Sequence, residues 1–378
     1  MDSACFEAGL WLYLAASLLY HALVVRGYLR GRPESGAVSW EADQVGVVIP
    51  AYNAQSSLIC MLETVAVAQR CGFRTTIVDD GSAVPLARTE FGPASLVRHT
   101  HNQGKAAALR TGSSALTASI IITVDADTVV TESALRRALS GFSDCRIGAM
   151  AMSITVAPAT GKLWERFQAA EYRFIFDFER RALAALGMMF TVPGAAALWR
   201  RSAIETIDGF SGRTLSEDTD ATIGLWCAGW RASVSPQSCA VTRAPSTFSQ
   251  LIRQRRRWIW GNIQVAYYQL VDVGHASRSL WPAGLFAMVT GWHVMGYLLS
   301  LWGAVALVLG DFSLTALTVT CILCLSGAAR LVIALHEGRE PPSSILIVLT
   351  SALVMQAINT VAFTAGVLSP SIWRRRWF

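Results

Sequence analysis

Apolar residues fall along the chain in long unbroken runs at its ends and in short runs between them. At the N-terminus, Ala8–Val25 is almost wholly apolar, with His21 its one ionisable side chain. The long runs return as Leu280–Leu309, Leu314–Leu335 and Ser344–Leu368. Each is long enough to cross a hydrocarbon core of about 30 Å as a helix. The middle of the chain reads differently. Val45–Ile49 is a continuous apolar run stopped by Pro50, the pattern of a strand buried on both faces. Ser57–Ala68 has helical spacing, Thr75–Val78 and Leu96–Arg98 read as further strands, and Lys105–Ala118 is an Ala-rich helix. Ile120–Val124 and Ile147–Thr155 complete the predicted strands. Strands alternating with helices predict an α/β domain with a mostly parallel sheet covered on both faces. Leu163–Leu186 is a long amphipathic segment carrying Trp164, Phe167, Tyr172, Phe174 and Phe178, the pattern of a helix packed on the sheet or on a membrane face.

Charge orients these parts. Asp2 and Glu7 precede the first apolar run, and Arg26, Arg30 and Arg32 follow it. A secretory signal carries its positive charge on the other side, so the run reads as an anchor with its N-terminus outside and the next domain cytoplasmic. Asp311 and the segment His336–Pro342 separate the three C-terminal runs. One crossing before the domain and three after it would leave Arg374–Arg376 outside, against the positive-inside tendency. A re-entrant first run, which holds Gly291 and His293, would remove that conflict; three crossings remain the preferred reading. The expected organisation is a transmembrane helix at 8–25, a catalytic domain at 37–245, interfacial helices at 246–279 and transmembrane helices at 280–368, with 31–36 as tether.

Composition agrees. Hydrophobic residues make up 53% and charged residues 15%, too apolar for an ordinary soluble protein and consistent with an integral membrane protein that has a water-facing part. Net charge is +6, almost all of it from arginine, since only Lys105 and Lys162 are lysines. The basic runs Arg253–Arg257 and Arg374–Arg376 border apolar segments, a placement that suits anionic lipid headgroups rather than nucleic acid. Cys321 and Cys324 form a CxxC inside an apolar run without His or carboxylate companions, so a metal or redox role is not expected.

The candidate chemistry sits at the predicted strand ends, where open α/β sheets bind ligands. Asp125 and Asp127 follow Ile120–Val124; alternate residues of an extended segment point the same way, so both carboxylates can face one hard cation such as Mg²⁺ or Mn²⁺. Asp79-Asp80-Gly81-Ser82 follows Thr75–Val78; Asp can hold a nucleobase or ribose there, or simply turn the chain. Asn102-Gln103-Gly104-Lys105 carries a compact point charge in an Arg-dominated chain, or an exposed loop lysine. Ser216-Glu217-Asp218, followed by Asp220, offers a general base for an acceptor hydroxyl, or a solvated helix N-terminus. In Gln254-Arg255-Arg256-Arg257-Trp258, positions 254, 257 and 258 share a helix face. There Arg257 can pair with a diphosphate and Trp258 can stack on a sugar, unless the run is a basic lipid-contacting patch.

Taken in order, these residues resemble family 2 glycosyltransferases of the processive membrane branch, which holds cellulose, hyaluronan, chitin-oligosaccharide and poly-N-acetylglucosamine synthases. The resemblance runs from Val45 to Trp260 and extends to the flanking apolar segments. Val47–Asn53 resembles the opening strand, Asp79-Asp80-Gly81 the uridine turn, Asn102–Lys105 the NxGK segment, and Asp125 and Asp127 the DxD. Val192–Ala195 and Leu198–Arg201 resemble the acceptor-side finger, Ser216-Glu217-Asp218 the Thr-Glu-Asp segment, and Gln254, Arg257 and Trp258 the QxxRW motif. Thr242-Arg243-Ala244-Pro245 departs from a common Thr-Glu-x-Pro, and Pro193 stands where some relatives carry Cys.

The resemblance implies a GT-A fold and inversion at the anomeric carbon. It assigns Asp79, Asp80, Lys105, Asp125, Gln254 and Arg257 to the donor, Asp125 and Asp127 to Mg²⁺ or Mn²⁺, Asp218 to the base, and Gly194 and Trp258 to the acceptor. It further implies a UDP-sugar donor, with UDP-N-acetylglucosamine favoured, a growing polysaccharide or lipid-linked acceptor, membrane-lipid contact at the inner cell membrane, and accessory export proteins as partners. The alternatives are a single-transfer lipid glycosyltransferase and an inactive membrane scaffold.

Overall fold

The computed structural model describes residues 3–30, 40–157, 162–245, 247–271, 279–310 and 342–369. The predicted second C-terminal run, the tether at 31–36, Cys321, Cys324 and Arg374–Arg376 all lie outside these residues.

The domain is built on an eight-stranded sheet in the order β3-β2-β1-β4-β7-β6-β8-β5. The strands are β1 (Val45–Ala51), β2 (Arg74–Asp79), β3 (Ser95–Arg98), β4 (Ile120–Val124), β5 (Val129–Val130), β6 (Ile147–Ala157), β7 (Ala196–Arg200) and β8 (Arg231–Arg243). From β3 to β4 every pairing is parallel. Beyond β4 the sheet is mixed: β7 runs antiparallel to both β4 and β6, β8 is parallel to β6, and β5 is antiparallel to β8.

The apolar runs become strands because both sheet faces are covered. Val47 and Ile49 of β1 enter one core with Ile120 and Ile122 of β4, Leu198 of β7 and Met152 of β6. Val48, Ile121, Trp199 and Ala151, one residue out of phase, enter the opposite core. This two-residue alternation with apolar side chains on both faces explains the unbroken runs. Each such Val, Ile or Leu side chain contributes roughly 1.5–3 kcal/mol on burial. The first core is roofed by α2 (Leu58–Arg70) and α4 (Glu132–Ser140), the second by α3 (Lys105–Ser114), α7 (Arg201–Glu205) and α8 (Glu217–Cys227).

The segment 163–185 is one helical rod of three pieces: α5 (Leu163–Tyr172), a π-helical stretch Arg173–Glu179, and α6 (Arg180–Ala185). Wide π turns inside α-helices occur frequently at functional sites. Around the rod stand α1 (Ser3–Leu29), α9 (Phe248–Val271), α10 (Trp281–Val308) and α11 (Pro342–Val367). By length and composition alone, Ala8–Leu29 and Trp281–Val308 can each cross a membrane; α10 runs unbroken through Gly291 and His293. Val24 of α1 packs with Phe178, Ala182 and Leu183 of the rod and with Phe286 of α10. Trp292 Nε1 donates to Ser17 Oγ at 2.9 Å, joining α10 to α1. Trp260 of α9 stacks on Phe363 of α11 with the ring planes 5° apart.

Candidate active site

Parallel strands β1, β2 and β4 end on the same edge of the sheet, and two acidic turns hang from it. Asp79 closes β2 and is fully buried. Its Oδ1 accepts the Ser82 amide at 2.9 Å; its Oδ2 accepts the Leu86 amide at 3.2 Å and Arg98 Nη1 at 2.6 Å. Burial pushes this carboxyl up, but the bonds from Ser82 and Leu86 and the Arg98 charge together hold it below its ordinary value. Asp80 is also buried. Its Oδ1 faces His99 Nδ1 at 2.7 Å and accepts the Gln103 amide at 3.0 Å, while Oδ2 accepts the Gly104 amide at 2.8 Å. Asp80 therefore shapes the loop that presents Lys105. Gly81 follows with φ +72°, and a Cβ there would run into the backbone of His101 and Asn102. The Asp-Asp-Gly and Asn-Gln-Gly-Lys segments, 23 residues apart by their Asp80–Gln103 bond, form one unit.

Lys105 stands at the first position of α3, where the helix dipole disfavours a cation. Carboxylates offset that cost. Its Nζ lies 2.6 Å from Asp125 Oδ1 and 3.2 Å from Glu217 Oε1, and donates to the Gly194 carbonyl at 3.4 Å. Burial alone would lower the ammonium's pKa; the charges of Asp125, Glu217 and Asp218 outweigh it and hold the group protonated well above the ordinary lysine range. The carboxylates gain less from sharing one lysine. Burial, then Asp127 and Glu217, push Asp125 up to about 6 against the pull of Lys105. Burial and Glu217 raise Asp218 against Lys105 and the amides of Gly194 and Thr219. Those amides donate to the two oxygens of Asp218, each at 2.8 Å. Gly194 permits the convergence: a Cβ on it would stand 2.8 Å from Lys105 Nζ and 3.2 Å from Asp218 Oδ2.

The structure thus brings together Lys105, Asp125, Gly194, Glu217 and Asp218, with Asp127 next to Asp125 and accepting Thr128 Oγ1 at 3.4 Å. Asp125 and Asp127 offer hard oxygen donors on a partly exposed turn; no group of three or more candidate ligands occurs among the described residues. Two carboxylates suffice for Mg²⁺ or Mn²⁺ when substrate phosphates and water complete the coordination, so the residues fit such an ion. Asp220 belongs elsewhere. Buried, it pairs with Arg213 through two bonds of 2.9 Å and accepts Gln269 Nε2 at 2.6 Å, tying α9 to α8.

Helix α9 carries the QRRRW run, and its buried face is offset from the face that Gln254, Arg257 and Trp258 share. Leu251, Arg255 and Ile259 point inward, and Arg257 is exposed. Arg255 forms a bidentate pair with Glu171 of α5 at 3.0 and 2.6 Å and lies 4.6 Å from the Trp258 ring centre. Gln254 Oε1 accepts Gln168 Nε2 at 3.0 Å. Trp258 faces a cavity of about 360 Å³ that the π turn, α1, α9, α10 and α11 enclose. Arg255 and Arg180 are among the cavity residues that the sequence reading missed. For Arg255 the signal was present: Leu251, Arg255 and Ile259 repeat every four residues, placing the arginine on the apolar stripe.

Comparison with known proteins gives a consistent set of likenesses. Residues 120–333, more than half of the chain, match the family described as Glycosyl transferase family group 2. An N-acetylglucosaminyltransferase of Rhizobium leguminosarum bv. viciae is 26% identical over 98% of this chain and 91% of its own length. Another, of Rhizobium meliloti (strain 1021), is 25% identical over 96% of this chain and 91% of its own. In a third, of Rhizobium sp. (strain N33), the likeness is 27% over 57% of this chain and 51% of that protein, so the chain spans about half the length of some curated relatives it matches. Among solved structures, the mannosyltransferase PcManGT from Pyrobaculum calidifontis, in complex with GDP-Man and Mn2+, superposes with a TM-score of 0.64 at 17% identity over 96% of this chain and 97% of that one. That likeness establishes the fold.

Proposed function

The chain belongs to Glycosyl transferase family group 2, and on that premise we propose that it transfers N-acetylglucosamine from UDP-N-acetylglucosamine, with inversion, to an acceptor seated in the cavity beside Trp258. The observation that carries this reading is the convergence of Asp125, Glu217, Asp218 and the Gly194 backbone on Lys105, at the carboxyl end of the parallel strands. The names of the rhizobial relatives support the choice of sugar, and the Mn2+ complex of the structural neighbour supports a divalent cation.

The chemistry follows from the charges. An acceptor hydroxyl attacks the anomeric carbon from the face opposite the diphosphate; the bond to the diphosphate breaks and UDP leaves. Asp218 takes the hydroxyl proton, and its raised pKa makes it the stronger base. Asp125 and Asp127 would hold Mg²⁺ or Mn²⁺, which when bound would offset the charge gathering on the departing diphosphate. Lys105 keeps Asp125 and Glu217 from repelling the donor before it arrives. Asp79 and Asp80 serve the donor by building the loops that face it. For Gln254 to reach the diphosphate it must exchange Gln168 for a phosphate oxygen; Arg257 approaches from the exposed side of α9.

The acceptor side lies against α1 and α10, which suits a product that enters or crosses the membrane: a growing polysaccharide passed to export partners, with the domain on the cytoplasmic face. A single transfer to a lipid is the second reading. Full-length protein in nanodiscs, given Mg²⁺ or Mn²⁺ and a panel of UDP-sugars, tests the proposal through UDP release and product length. Release with UDP-N-acetylglucosamine and a ladder of products is expected. A single-sugar product selects the second reading, and no release from any donor removes both.

A further inference from the structure

The cavity beside Trp258 holds several charged side chains, and all but one of them have partners. Glu171 and Arg255 neutralise each other through two bonds. Glu179 accepts the Tyr20 hydroxyl. His21 Nδ1 and His293 Nδ1 lie against the carbonyls of Ser17 and Val289 on their own helices. Arg180 is left. It follows the π turn directly, its half-buried side chain lines the cavity, and its guanidinium carbon lies 4.0 Å from the Phe176 ring centre. Its Nη1, like Arg255 Nε, is buried without a hydrogen-bond partner among the described residues, but unlike Arg255 it has no carboxylate paired with it there. Burial lowers this guanidinium to about 10, against the opposing pull of Asp218, Glu179 and other groups.

A half-buried cation without a paired carboxylate is costly, and the cost is relieved by a hydrogen-bond acceptor that also brings negative charge. A sugar hydroxyl supplies the bond and not the charge. The planar fork of arginine suits the paired oxygens of a phosphate. The cavity is walled on one side by helices able to cross a membrane, with Phe286 and Val289 of α10 and Ile263 of α9 on its lining. An oxyanion head at Arg180 therefore sits beside an apolar path for a hydrocarbon tail. We infer that Arg180 anchors the phosphate of a membrane-lipid acceptor, holding its head beside Asp218. The inference rests on the second reading above, transfer to a lipid, for the word acceptor; the anion site itself does not.

The test uses the full chain in nanodiscs and three probes: dodecyl phosphate, dodecyl glucoside and inorganic phosphate, with binding measured directly and as competition against sugar transfer. Dodecyl phosphate is expected to bind at least about tenfold tighter than dodecyl glucoside, the span of a charge-assisted hydrogen bond. Arg180→Gln should bring the two within about twofold, and Arg180→Lys should restore part of the preference; thermal unfolding of both variants checks that they fold. Equal affinities in the wild type, or a preference that survives in Arg180→Gln, overturns the inference. Inorganic phosphate competing as well as dodecyl phosphate overturns the lipid and leaves a soluble anion. Binding of UDP-N-acetylglucosamine is measured on the same samples, so that loss of the transferase reading registers separately from the Arg180 result.

Discussion

Two acidic turns hang from neighbouring parallel strands, and they are put to opposite uses. After β2, Asp79 and Asp80 are 0% and 1% exposed, and their carboxylates are taken up by backbone amides, Arg98 and His99. After β4, the Asp125 side chain is 30% exposed and shares Lys105 with Glu217, while Asp127 is half-buried and accepts the Thr128 hydroxyl. One turn is finished within the protein, and the other is left short of counter-charge. A site completed by a ligand must be incomplete without it, and that is where stability is traded for function.

The difference can be broken by mutation. The largest effect belongs to the unfinished side: Asp218→Asn should cut UDP release by about 10²–10⁴-fold while UDP-sugar affinity holds, since a positioned acid–base group is worth that much. Full turnover in that variant removes Asp218 as the base. Asp80→Ala should do the reverse, costing about 3–5 kcal/mol of stability by orphaning His99 and two amides in a buried network. Asp127→Ala should leave stability within about 1 kcal/mol, since the half-buried side chain accepts one long bond from Thr128, while divalent-cation dependence disappears together with activity. Denaturant titration and a metal titration of both variants decide the pair.

Gly194→Ala is a finer probe. The added methyl displaces Lys105 Nζ or Asp218, and a shift of about 1 Å at a reacting group costs about 10²-fold in kcat. The smallest effect is in pH. Asp79 is held below its ordinary value, so its stabilising charge is present at neutral pH and is lost only in acid, as the pH drops through that lowered value. Asp125 has the opposite sign: in the folded chain it takes up its proton at about 6, against an ordinary value of 3.8, so acidification through that window stabilises the fold. Thermal unfolding should show a rise as pH falls from about 7 to 4 that Asp125→Asn removes, and, on further acidification below about 4, a fall supplied by Asp79 that Asp125→Asn leaves in place.

Strands β1, β4 and β6 were legible because a short apolar run between turn residues is too brief for a helix and suits a strand covered on both faces, whereas β2 and the edge strand β3, a partly exposed Ser-Leu-Val-Arg, were read from shorter apolar stretches. Strands β7 and β8 were not. Trp199 and Leu198 were absorbed into a motif, and β8 interrupts its apolar residues with Ser233, Ser235, Pro236, Gln237 and Ser238. Among the site residues, Lys105 stood out by rarity and Asp125 and Asp127 by position after a strand, and these meet in space. Whether Asp79 and Asp80 hold a ligand or a loop cannot be read from an Asp-Asp-Gly string, since both uses want the same residues after a strand. Arg180 was hidden for another reason. It lies in Glu179-Arg180-Arg181, which reads as a solvated patch until the π turn rotates it against the cavity.

The bonds around Asp220 have a mechanical consequence. Gln269, near the end of α9, is bound to the same helix that begins with Glu217 and Asp218, while Arg255, about 20 Å earlier along the axis, is bound to Glu171. Helix α9 is thus pinned at two points, with α10 and α11 leaning on it between them and beyond. It behaves as a lever with its load at Asp218. If α1 and α10 cross a membrane and Asp218 is the base, as proposed, a tilt forced on them by a thinner or thicker bilayer would be delivered through that lever to Asp218, and bilayer thickness would set the turnover rate.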